Sequence, residues 1–176
     1  MVAVLASRDT PLVATPAELA RWRALTPLAL WSAISVRDAN PDEILHGVAA
    51  LLAQRDAEAH QLILLAEGQA AHAALELVLR GALDSAGILA IAPPCAALPF
   101  RIVPTAAAIR LVVQHEERGD VPVALITALQ AADIDTRITS LNRHDTRAAA
   151  SAAETFVLEL VANASRQSRH QDYPGV

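Results

Sequence analysis

The chain has a single cysteine, Cys95, and only 3% of its residues are aromatic. One cysteine excludes an internal disulfide and provides no cysteine cluster for a metal, which suits a reducing compartment. So few rings leave no platform on which nucleic-acid bases could stack. Positive charge is also sparse: the 14 basic residues are scattered arginines against 19 acids, and the net charge is -5 with His neutral. No basic stripe marks a nucleic-acid partner. Long apolar runs are missing, since no stretch approaches the roughly 18 to 20 residues of a membrane helix. The amino end, MVAVLASRDTPLV, lacks the basic region that opens a secretory signal. A soluble, cytoplasmic protein with no membrane partner is the expectation. No G-x-G-x-x-G follows any candidate strand, so no dinucleotide or other cofactor is expected.

What is present is apolar. Of 176 residues, 53% are hydrophobic and 19% charged, enough for one buried core in one domain. That domain is expected over 1–165, followed by a mobile polar tail over 166–176 that holds Pro174 and Gly175.

Short apolar runs alternate with capped helical segments. Val2 to Leu5, Leu28 to Val36, Leu62 to Leu65, Gly87 to Ala92, Ile109 to Val113 and Arg137 to Leu141 read as strands, the last near a sheet edge. Thr15, Pro16 and Glu18 form a helix start with a capping box, and Asn40-Pro41-Asp42-Glu43 repeats its cap, proline and acid logic. From Ile44 the apolar residues recur as one helical face, to an end near Ala59. Another helix reaches Arg80 with Gly81 as its stop, one begins at Val121-Pro122, and the last runs from about Arg147 to Ala164. The pattern predicts an α/β fold of three layers: a six-stranded, mainly parallel sheet with helices on both faces and Leu62 to Leu65 near its centre.

The stretch HQLILLAEGQAAHAALELVLRG, His60 to Gly81, organises this pattern as strand, sharp turn and helix. Its turn reads Ala66-Glu67-Gly68-Gln69-Ala70. Here the chain resembles the carboxylesterase and phospholipase-like branch of the α/β-hydrolases, which carries G-F-S-Q-G-[GA]-x-x-A-L around a nucleophile on a strained elbow. Gly68, Gln69, Ala70, Ala71, Ala74 and Leu75 fall on that pattern, with glycine in place of the serine and Ala70 in place of the glycine after Gln69. The resemblance runs from about Pro41 to Ala164 and implies that the family's first strands are absent.

The resemblance also implies where the remaining catalytic groups belong. The family acid sits in a pattern like H-G-x-x-D-x-x-V-P after the strand Ile109 to Val113, where this chain has His115-Glu116-Glu117-Arg118-Gly119-Asp120-Val121-Pro122. Asp120 is out of register by one place. The family histidine lies after the last strand, and His144 matches it within Asn142-Arg143-His144-Asp145. The His-Gly turn that helps form an oxyanion hole is missing after Val2 to Leu5, while Gln69 can still give its backbone N–H.

Gly68 has no side chain and cannot be a nucleophile. The expectation is therefore a non-catalytic hydrolase relative, a binding or assembly module whose small-molecule or protein partner the sequence does not name. Its ligand site would be bounded by Gly68, Gln69, His115, Asp120 and His144. The alternative is an esterase-like hydrolase with altered machinery, using His144 with Glu67 or Asp120 and a water. Ala66 and Ala70 replace the glycines that flank the family nucleophile, so all three elbow positions depart together. A sheet edge in need of cover makes a homodimer the expected assembly.

Overall fold

The computed structural model describes residues 1–7, 15–37, 39–94, 100–115, 123–142 and 145–171. Within them the six apolar runs are strands: β1 (Val2–Ser7), β2 (Trp31–Val36), β3 (Ile63–Glu67), β4 (Gly87–Ile91), β5 (Ala108–His115) and β6 (Thr136–Asn142). They form one sheet in the order β2-β1-β3-β4-β5-β6, with every neighbouring pair parallel. β3 lies inside the sheet and β6 at its edge, as the patterning predicts. The strand expected from Leu28 begins three residues later, because Ala29 N–H donates to the Thr26 carbonyl at 3.0 Å and makes a turn there.

Among the described residues four α-helices lie between strands, α1 (Pro16–Leu25), α2 (Pro41–Arg55), α3 (Gly68–Leu79) and α4 (Val123–Ala131), and α5 (Thr146–Gln171) follows β6. Thr15 caps α1 in a complete capping box, accepting from Glu18 N–H while the Glu18 carboxylate accepts from Thr15 N–H. Asn40 caps α2 by accepting from Asp42 N–H at 2.9 Å. α2 stops four residues before the expected Ala59, because Asp56 takes the left-handed conformation, at φ 48 and ψ 47. α5 begins where Asp145 accepts from Ala148 N–H at 2.9 Å. It passes its expected end at Ala164 and continues to Gln171, since no glycine or proline interrupts the chain there.

Alternation along the strands divides the core in two. Leu64 and Ala66 of β3 pack with α2, α3 and α4 on one face. Ile63 and Leu65 pack with Trp22 of α1 and with Ala153, Phe156, Val157 and Leu160 of α5 on the other. Every residue of β3 and β4 is buried. Such doubly covered strands must be continuously apolar, which is why they were legible as runs without a period. Trp22 is fully buried and its indole N–H donates to Glu154 of α5 at 2.9 Å, tying the two helices of that face together. Trp31 is half-buried and donates to the Thr26 hydroxyl at 3.0 Å.

Candidate functional site

The last residue of β3 is Glu67, extended at φ -131 and ψ 150, and α3 begins at the next residue. Gly68 makes that change of direction with φ +58, the left-handed region that costs an L residue strain. Glycine removes the cost because it has no Cβ. The sequence pattern of strand, glycine and helix therefore corresponds to a one-residue elbow at the carboxyl end of an inner strand. Gln69 is exposed on the first turn of α3. The amino end of that helix carries partial positive charge, which suits an anion or a developing oxyanion.

Glu67 is only 8% exposed. In the register its partner is Ile91 of β4, and it continues the row of Ile63 and Leu65 on the face covered by α1 and α5. Its side chain does not cap α3. A carboxylate buried beside the elbow is a chemically capable group, as a proton acceptor for a water in the same corner.

Parallel pairing brings the ends of β5 and β6 to this same edge of the sheet. Glu67 is level with Ile91, Ile91 with Val112, and Val112 with Thr139. β5 and β6 then extend three residues further, to His115 and Asn142, which are themselves register partners. At about 3.3 Å per residue this carries their ends roughly 10 Å beyond the level of Glu67. The backbone of His115 is described, whereas Cys95, Asp120 and His144 lie outside the described residues. His144 follows Asn142, the last residue of β6, by two positions in the sequence.

Three clefts among the described residues lie elsewhere. One of about 310 Å³ is lined by Met1, Leu28, Ala29, Gln61, Val161 and Ala164. Another, of about 690 Å³, lies between Phe100 to Pro104 and the end of α4. A third, of about 610 Å³, is lined by Ile34, Ser35, Arg37, Asp42, Glu43, His46 and Gly47. None of these three is lined by Gly68 or Gln69, and the expected ligand pocket includes positions outside the described residues. Among the described residues, no group of three His, Cys, Asp or Glu could hold a metal ion. No helix among them is long and apolar enough to cross a membrane.

One charged cluster was not read from the sequence. Arg110 of β5 is 1% exposed and donates to Asp135 at 2.9 Å and to Glu159 of α5 at 2.8 Å. It stands near the amino end of its strand, away from the elbow. The available signal was an arginine inside the apolar run IRLVV.

No protein-family model matches the sequence, and no curated protein matches it. Solved structures do match. The structure of YahD with malic acid is 20% identical at a TM-score of 0.56, over 68% of this chain and 61% of YahD. The Bacillus cereus carboxylesterase is 12% identical at 0.55, over 68% of this chain and 59% of the enzyme. S-formylglutathione hydrolase (FrmB) from Staphylococcus aureus is 7% identical at 0.61, over 91% of this chain and 80% of the enzyme. The chain thus spans about three fifths of the first two. At these identities the likeness is one of fold.

Proposed function

From its α/β-hydrolase-like fold, we propose that this protein is a hydrolase of an ester or related acyl bond, with a water in place of the side-chain nucleophile. The observation that carries this reading is Glu67, a carboxylate 8% exposed, standing one residue before the left-handed Gly68. In this reaction the water oxygen bonds to the acyl carbon as its proton passes to Glu67. The tetrahedral oxyanion is held by the backbone N–H of Gln69, the residue after the elbow position. Collapse breaks the bond to the leaving oxygen, which takes up the proton and gives an acid and an alcohol. His144 passes that proton to the leaving group, and Asp120 is the second candidate for the carboxylate. The protein works in the cytoplasm and needs no cofactor for this step.

A specific observation favours one second reading, a non-catalytic binding or assembly module: Gly68 presents no side chain at the elbow. An aryl-ester assay on the chain, Glu67→Gln, Asp120→Asn and His144→Ala separates the two. Turnover above background that falls about 10²-fold or more in Glu67→Gln and in His144→Ala is the expected result. Loss in Asp120→Asn with Glu67→Gln unaffected moves the base to Asp120. Background rates in all four proteins leave the binding module.

A further inference from the structure

The two edges of the sheet are unlike. β6 carries Arg137, whose side chain is 63% exposed and pairs with Glu159 at 3.2 Å. A charge of this kind blunts an edge against pairing with another chain. The other edge, β2, reads WSAISV and has neither charge nor proline. Among the described residues its strand partner is β1, on one side. Val2 N–H donates to the Leu30 carbonyl at 2.7 Å, so Leu30, Ser32, Ile34 and Val36 direct their backbone groups to β1. Trp31, Ala33 and Ser35 direct theirs to the open edge.

Exposed apolar side chains gather at the amino end of the same strand. Among the described residues the exposed large hydrophobics are Leu25 at 50%, Leu28 at 89%, Leu30 at 55% and Val103 at 43%. Three of the four lie within the seven residues that precede β2. At the carboxyl end of β2 is the cleft of about 610 Å³, apolar at Ile34 and Gly47 and rimmed by the polar side chains of Ser35, Arg37, Asp42, Glu43 and His46. Gly47 keeps that side of α2 close to the strand, because a Cβ there would stand 2.5 Å from Cγ2 of Ile34. One end of the edge therefore presents apolar knobs and the other presents a hollow.

We propose that β2 is the seam of a homodimer, pairing antiparallel with the β2 of a second copy about a two-fold axis at Ala33. An axis perpendicular to the sheet maps each face onto itself, so residues opposite one another must have numbers of the same parity. The register centred on Ala33 sets Trp31 opposite the partner's Ser35 and Ala33 opposite the partner's Ala33. All three outward-directed residues then form hydrogen-bonded pairs, and two bonds per pair give about six across the seam. A shift by two residues leaves only two such pairs within the strands. On the α1 and α5 face, exposed Ala33 and Ser35 leave room for the partner's Trp31. On the α2 face, Leu30 falls opposite the partner's Val36 and its side chain packs on the Ile34 and Gly47 wall of the hollow beside the partner's α2, with the charged rim left to solvent. The same substitution of knob into hollow occurs twice by symmetry, which is what commits the edge to a second copy of this chain.

Sedimentation of the chain over a concentration series, with Leu30→Glu and Ser35→Lys beside it, tests the seam. Both changed positions are exposed, and circular dichroism checks that the fold persists. The expected result is a dimer that each substitution weakens roughly tenfold or more. A monomer up to about 100 µM, or a dimer indifferent to both changes, overturns the proposal. In a Cys95→Ser background, Ala33→Cys should close a disulfide between copies, because Cα atoms in a hydrogen-bonded pair stand about 5.5 Å apart. Cross-linking through Arg137→Cys on β6 and not through Ala33→Cys also overturns it.

Discussion

Glu67 ends β3 in an extended conformation, and Gly68 after it turns to φ +58, so the strand becomes a helix within one residue. Any side chain at position 68 meets the cost of the left-handed region, about 1 to 2 kcal/mol. Gly68→Ala is expected to lower stability by that amount in urea denaturation, with the sheet intact. An unchanged midpoint would mean that the turn relaxes without loss and that no elbow strain is held there.

Gly87 is a second glycine with a purpose, and the purpose is space. A Cβ on it would stand 2.8 Å from the carbonyl oxygen of Ala108 and 2.7 Å from Cδ2 of Leu160. The leucine can rotate, but the carbonyl belongs to the neighbouring strand. Gly87→Ala is expected to cost about 1 to 3 kcal/mol by overpacking. The matched change Gly81→Ala separates crowding from conformation, since a Cβ there meets only Val103 at 3.5 Å while φ is +71.

Arg110 is held by two carboxylates of unequal exposure. Burial works against its charge, and the hydrogen bonds and charges of Asp135 and Glu159 outweigh that, holding the guanidinium above its ordinary value. Removing the arginine strands neither acid: Asp135 is 61% exposed, and Glu159 keeps Arg137 at 3.2 Å. Removing Glu159 takes one of two partners from a buried cation. Arg110→Met is therefore expected to cost about 1 kcal/mol or less and Glu159→Gln about 1 to 3, because a buried charge that loses its partner is the costly case. Thermal unfolding of both variants gives the order. The reverse order would show that packing of the arginine stem dominates.

The strands were legible because their doubly covered runs are continuously apolar, and α1 was legible to the residue because Thr15 and Glu18 stand three apart in the capping pattern. Strand order was not, since it depends on how crossovers close in space. The continuation of α5 past Ala164 follows from the lack of a breaker before Pro174, because polar residues by themselves do not end a helix. The elbow was half legible. Strand, glycine and helix are adjacent in sequence, but the burial of Glu67 depends on β4 and α5, which arrive later in the chain. The Arg110 cluster shows the same limit, with partners 25 and 49 residues away.

The glycine at position 68 also makes the catalytic reading testable without touching a carboxylate. If a water attacks from the place that a nucleophilic side chain occupies on other elbows, that water needs the volume a Cβ would fill. Gly68→Ala retains Glu67 and the helix, yet puts a methyl group where the water must stand. Ester turnover is then expected to fall about tenfold or more, the scale on which small displacements of reacting groups act. Gly68→Ser should not recover it: its hydroxyl would need an imidazole held in the right tautomer, and Asp120 is one place out of register for that task. Loss of the orienting acid alone can cost about 10⁴-fold. Single-turnover rates of the three proteins decide the matter. Unchanged turnover in Gly68→Ala would place the attacking water elsewhere, and a large gain in Gly68→Ser would mean that a complete serine triad needs only its nucleophile restored.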